Sequence, residues 1–151
     1  MKETWVLIDD ETGLHVGWYF WLRVLDEVNR STRYGAPFAL LLLSANQREA
    51  GTEKRQEEAA SHLPAAIRST DLGGLLGSGR VGILLTEQDR GSATLAITRV
   101  LQRCAASAAR IGGWQSRLLI YPEDGAEISN LLTNGWTDDT DLRCGTDQAS
   151  A

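Results

Sequence analysis

Apolar positions along the chain fall into periodic and continuous runs, and these predict most of its elements. Trp18, Trp21, Leu22, Leu25 and Val28 recur at helical intervals, with Asp26, Glu27 and Arg30 on the other side. That spacing predicts a helix of about three turns. The helix ends between Ser31 and Gly35, because Gly35 and Pro37 cannot continue it. Phe20 and Val24 widen the stripe, which places the helix between a sheet and another surface, with a partner as one candidate for that surface. Pro37 to Ser44 is a continuous apolar run, the pattern of a central strand buried on both faces. Leu72, Leu75 and Leu76 lead into Gly77-Ser78-Gly79, and Val81, Ile83, Leu84 and Leu85 lead out. This is a β-hairpin whose tip needs the positive φ that glycine takes without a Cβ penalty.

The stretches between these runs complete the order. A charged segment from Arg48 to Glu58 gives way to Ala59, Ala60, Leu63, Ala66 and Ile67, a helix with a solvated outer face that Pro64 kinks or restarts. After the hairpin a helix is expected from about Ser92 to Ala108, with Ala93, Leu95, Ala96, Val100, Leu101 and Cys104 inward and Gly112-Gly113 closing it. Ser116 to Tyr121 reads as another strand, and Ile128, Leu131 and Leu132 as a short last helix. Residues 1–8 form a lead-in, helical or extended. From Trp136 onward the chain is polar, so residues 1–136 are read as one domain and 137–151 as a disordered tail. Periodicity alone gives an α/β class.

Composition narrows the function. A chain of 151 residues with 42% hydrophobic content suits one domain. A net charge of -5 gives no basic footprint for a nucleic acid, so an anionic ligand must be held by a few placed arginines. No apolar run approaches the roughly 18 residues of a membrane span, and the opening residues lack the order of a secretory signal, so a cytoplasmic chain without membrane contact is expected. Cys104 and Cys144 stand far apart with only His15 and His62 to help, which suggests neither a disulfide framework nor zinc.

Three motifs, in this order, carry a resemblance. Asp9-Asp10-Glu11-Thr12-Gly13-Leu14 is a helix-entry turn. Arg68-Ser69-Thr70-Asp71 stands six residues before the glycine-rich tip, and Tyr121-Pro122-Glu123-Asp124-Gly125 follows the last strand. Over residues 9–132 the chain resembles the GGDEF (diguanylate cyclase) family. The resemblance implies an α/β (α+β) sandwich with a mostly antiparallel central sheet flanked by helices. It also implies what is missing. The family's name motif falls at the hairpin tip, where this chain reads Gly77-Ser78-Gly79-Arg80-Val81, and its magnesium-binding aspartate at the end of the central strand is here Ser44. The loop that holds guanine in the family has no counterpart between residues 47 and 68, and the closing motif is absent.

Ser44, Gly77, Ser78, Gly79 and Arg80 are therefore expected to be degenerate active-site positions, with no metal, no cofactor and no cyclase activity. Serine and glycine are poor ligands for a hard divalent cation, and a guanidinium beside its site repels it. The family's inhibitory site is an Arg-x-x-Asp plus an arginine on the following helix, and Arg68, Asp71 and Arg99 match it. What this implies is a regulatory domain that binds cyclic di-GMP there, through arginine forks on phosphodiesters and a carboxylate on guanine. The plainer alternative has Asp71 capping a turn, Arg68 paired with it and Arg99 solvated. The chain is then a ligand-free pseudo-enzyme that dimerises or contacts a protein, with Trp18, Trp21, Trp114 and Trp136 as its aromatic surface.

Overall fold

The computed structural model describes residues 7–46, 52–77 and 79–136. The expected lead-in up to residue 6, the tip residue Ser78 and the tail from residue 137 lie outside them. A two-residue strand β1 (His15–Val16) precedes helix α1 (Gly17–Tyr34), strand β2 (Phe38–Ala45) and helix α2 (Glu53–Ser61). The hairpin is β3 (Leu72–Gly77) and β4 (Arg80–Leu85); α3 (Arg90–Arg103), α4 (Ala105–Ala108), β5 (Trp114–Tyr121) and α5 (Gly125–Asn134) follow. The strands lie in the order β1-β3-β4-β2-β5. β1 is parallel to β3 and the other pairs are antiparallel.

β2 runs between β4 and β5 and all of its residues are buried. Its side chains alternate between two cores, as strand geometry requires. Leu41 and Leu43 join Val81, Ile83 and Leu85 under Ala60, Leu63, Ala93 and Val100 of the α2 and α3 side. Leu40 and Leu42 join Leu84 and Leu119 under Phe20 and Val24 of α1 and Ile128 and Leu131 of α5. The product is a sheet with helices on both faces, the expected sandwich.

α1 departs from its expected form in length and in orientation. It runs 18 residues to Tyr34, because Ser31 continues the buried face after the apolar pattern stops, and Gly35 in the left-handed region (φ 78°) closes it by donating its N–H to the Ser31 carbonyl. Phe20 and Val24 face the sheet and Trp21 and Val28 of the expected stripe pack beside them, whereas Trp18, Leu22 and Leu25 are 55%, 46% and 44% exposed and Glu27, expected on the polar side, is buried, so the buried face is rotated from the expected one. The sheet dictates this choice. Gly74 and Gly82 are register partners on β3 and β4, and a Cβ at Gly74 would lie 2.4 Å from the Phe20 Cγ. Two adjacent glycines thus open a seat for the Phe20 ring.

α3 begins earlier than its expected start. Asp89 accepts the Ser92 N–H at 2.8 Å and the Ser92 hydroxyl accepts the Asp89 N–H at 3.1 Å, a reciprocal cap that starts the helix at Arg90. Its inner face is Ala93, Ala96 and Val100; Leu95, expected inward, is 73% exposed, because it lies about 200° round the helix from Ala93, on the solvent side. Pro64 opens a single 3-10 turn after α2, a restart of the helix as its position predicts.

Candidate functional site

The Arg68 to Asp71 segment is a closed corner leading into β3. The Asp71 N–H donates to the Arg68 carbonyl at 3.0 Å and the Arg68 N–H donates to Asp71 Oδ2 at 3.1 Å. The side chains then lock the turn. Arg68 Nε donates to Oδ2 at 3.1 Å and Nη2 to Oδ1 at 2.9 Å, a two-pronged pairing, and Nη2 also reaches the Thr86 carbonyl at 3.1 Å. The Asp71 side chain is 3% exposed while that of Arg68 is 48% exposed. The hydrogen bond to Asp71 raises the Arg68 pKa above its ordinary value against a smaller opposing effect of burial, with Asp71 and Glu87 adding attraction. Arg68 is therefore a permanent cation in a fixed orientation.

Arg99 comes from α3, the helix that packs beside this corner, and the structure brings it to the same place. Arg68, Asp71 and Arg99 line one notch of about 100 Å³, floored by Ile67, Leu85 and Val100. At ~30 Å³ per water the notch holds about three waters, so it fits a phosphodiester or a ring edge, and the body of any larger ligand lies on the surface. Arg103, one turn further along α3, lines it too. Sequence reading missed Arg103; its i+4 spacing from Arg99 on a predicted helix was the signal that could have found it.

Ser44, Gly77, Gly79 and Arg80, the described members of the expected degenerate positions, lie at the other end of the hairpin. Ser44 is buried on β2 opposite Arg80 on β4 and Gln115 on β5, and the neighbouring Ala45 N–H donates to the Gly79 carbonyl at 2.7 Å. Gly77 and Gly79 both take positive φ, 146° and 68°. Beside them a cleft of about 530 Å³ carries Asp9, Glu11, Glu53 and Glu57 among its described lining residues, with no lysine or arginine among them. Asp9 Oδ2 is already engaged by the Thr12 N–H at 2.9 Å and hydroxyl at 2.7 Å, the cap expected of the entry motif. Among the described residues no group of three or more His, Cys, Asp or Glu could hold a metal ion. The Arg80 guanidinium stands 5.3 Å from the Trp136 ring centroid and donates to the Trp136 carbonyl at 3.2 Å.

No family model matches the chain, and no curated protein is significantly similar to it. Solved structures are similar. A sensory box/GGDEF family protein from Caulobacter crescentus matches at TM-score 0.68 and 18% identity, covering 94% of this chain and 99% of that one. The GGDEF domain of TpbB (YfiN) from Pseudomonas aeruginosa matches at TM-score 0.65 and 17% identity, covering 93% and 89%. DgcB from Caulobacter crescentus, solved as its coiled coil and GGDEF domain in complex with cyclic di-GMP, matches at TM-score 0.63 and 9% identity, covering 85% and 82%. The class is an α+β sheet domain with helices on both faces; the fold is that of GGDEF diguanylate cyclase domains.

Proposed function

We propose that this chain is a regulatory GGDEF-fold domain that recognises cyclic di-GMP at the Arg68, Asp71 and Arg99 corner and does not synthesise it. The observation that carries the reading is the meeting of the Arg68–Asp71 corner with Arg99, a residue distant in sequence, on one notch with two guanidinium groups and a buried carboxylate. DgcB, of the same fold, is solved with that dinucleotide bound. Hydrogen bonds to charged groups contribute ~1.5–3 kcal/mol each. Micromolar affinity needs about 8.2 kcal/mol, so stacking of a base or a second protomer completes the site. The inactive half of the proposal is supported by Ser44, Gly79 and Arg80 at the positions where the resemblance expects acids.

Calorimetric titration of the full chain with cyclic di-GMP tests the receptor reading. Binding at micromolar concentration that weakens about tenfold in Arg99→Ala supports it; no heat together with no thermal shift refutes it. Incubation with GTP and magnesium tests the other half, and any cyclic di-GMP formed by pure protein overturns it. Exposure of Leu22 and Leu25 on the outer face of α1 favours the second reading, a protein-contact module, and that reading stands if the titration is silent.

A further inference from the structure

We infer that Arg103 is a further recognition residue of this notch, and that Arg99 and Arg103 together select a ligand bearing two separated phosphodiesters over one bearing a single phosphodiester. The inference rests on the receptor reading above. Arg99 and Arg103 lie on α3 four residues apart, which puts their side chains on the same helix face one turn apart, and both line the notch that Arg68 and Asp71 border.

Several arginines of the chain are committed to carboxylates. Arg30 is bridged to Glu27 and Glu87, Arg90 to Glu123 and Asp124, Arg110 to Glu58 and Arg117 to Glu127. Arg99 and Arg103, like Arg33 and Arg55, are exposed with no carboxylate partner among the described residues, and of these four only Arg99 and Arg103 line the notch. Like charges at this spacing cost a helix stability, and the chain as a whole is acidic. The position of Arg103 in the last turn of α3 suits the helix dipole, which accounts for one cation but not for two on the same notch. The notch therefore carries three guanidinium groups against one carboxylate, and that carboxylate is already engaged by Arg68. Two unpaired forks one turn apart match two anionic groups on one ligand, each taking a phosphodiester in the planar geometry that arginine favours. A ligand with a single phosphodiester engages one fork and leaves the other solvated.

The test titrates the full chain, as wild type, Arg99→Ala, Arg103→Ala, Arg103→Lys and Arg110→Ala, with cyclic di-GMP and with 3′,5′-cyclic GMP, which has the same base and one phosphodiester. Circular dichroism and thermal melts confirm that each variant folds. Arg103→Ala is expected to weaken cyclic di-GMP about tenfold or more while shifting cyclic GMP by less than about threefold. Arg103→Lys, a point charge without the fork, falls between, and Arg110→Ala behaves as wild type. Cyclic di-GMP affinity of Arg103→Ala within about twofold of wild type, with Arg99→Ala impaired, overturns the role of Arg103 and leaves the receptor reading intact. Equal weakening of both ligands overturns the selectivity. If wild type binds neither ligand, the receptor reading fails and this inference falls with it.

Discussion

The seat of Phe20 gives a prediction whose size can be worked from distances. Phe20 is fully buried, and a methyl added at Gly74 meets its Cγ at 2.4 Å and its Cβ and Cδ1 at 2.5 Å. Carbon atoms pack best at ~3.5–4.0 Å, so three contacts fall short by about 1 Å each. The clash lies at the root of the side chain, close to the α1 backbone, where no rotamer relieves it. Overpacking of this kind costs ~1–3 kcal/mol, offset by ~0.5–1 kcal/mol because alanine is better than glycine inside a strand. Gly74→Ala is therefore expected to lose up to about 2.5 kcal/mol, read as a lower urea midpoint at unchanged m-value. Gly73→Ala is the control: its methyl would meet the end of the flexible Leu14 side chain at 2.6 Å, which can swing aside. Gly82→Ala meets the far edge of the ring, Cε2 and Cζ at 2.7 Å. Phe20→Leu removes those two atoms, so it should partly rescue Gly82→Ala and leave Gly74→Ala unrescued, a non-additivity of ~0.5 kcal/mol or more. A smaller loss for Gly74→Ala than for Gly73→Ala, or equal rescue of the two by Phe20→Leu, refutes the reasoning.

Two more predictions concern charges. Arg68→Ala leaves the buried Asp71 carboxylate with the Arg68 backbone N–H at 3.1 Å but without its guanidinium. The loss is ~1–3 kcal/mol from the stranded carboxylate, with little from the solvent-screened pair itself, and adding Asp71→Asn should recover part of it in a chemical melt. Asp89 is held below the usual carboxylate range, chiefly by the Ser92 backbone N–H that it caps. A lowered folded pKa means the stabilisation is complete above the unfolded value of ~3.9 and fades as the pH falls through the folded one. The acid limb of a stability profile should be shallower in Asp89→Asn, which caps without titrating.

The first of these charge predictions changes how the site is best probed. Arg68→Ala perturbs both ligand contacts and the corner itself, whereas Arg99 has no carboxylate partner to abandon among the described residues, so its loss reports on binding.

Elements whose pattern is set by burial were legible in the sequence. The run from Phe38 to Ser44, the glycines around the hairpin tip and the Ile128 and Leu131 face each match one strand, turn or helix of the fold. α1 was harder because it is apolar on both sides. Which side turns inward depends on the glycine pair that seats Phe20, and that pair exists only once β3 and β4 are in register. Leu95 failed for a related reason: side-chain hydrophobicity says little about orientation where Ala93 and Ala96 make the close contact. At the candidate site Arg68 and Asp71 were visible as a local motif and Arg99 by its place after the hairpin. The Thr86 carbonyl that steadies Arg68 belongs to the backbone, which no side-chain motif encodes.

The proposed recognition corner has one stationary jaw and two loose fingers. Arg68 is clamped by Asp71 and Thr86 before any ligand arrives, so its share of the contact costs little ordering. Arg99 and Arg103 give up their side-chain freedom when they close. For a ligand bound as proposed, such an arrangement would divide the labour in time: the stationary jaw would orient the incoming anion, and the fingers would govern how long it stays.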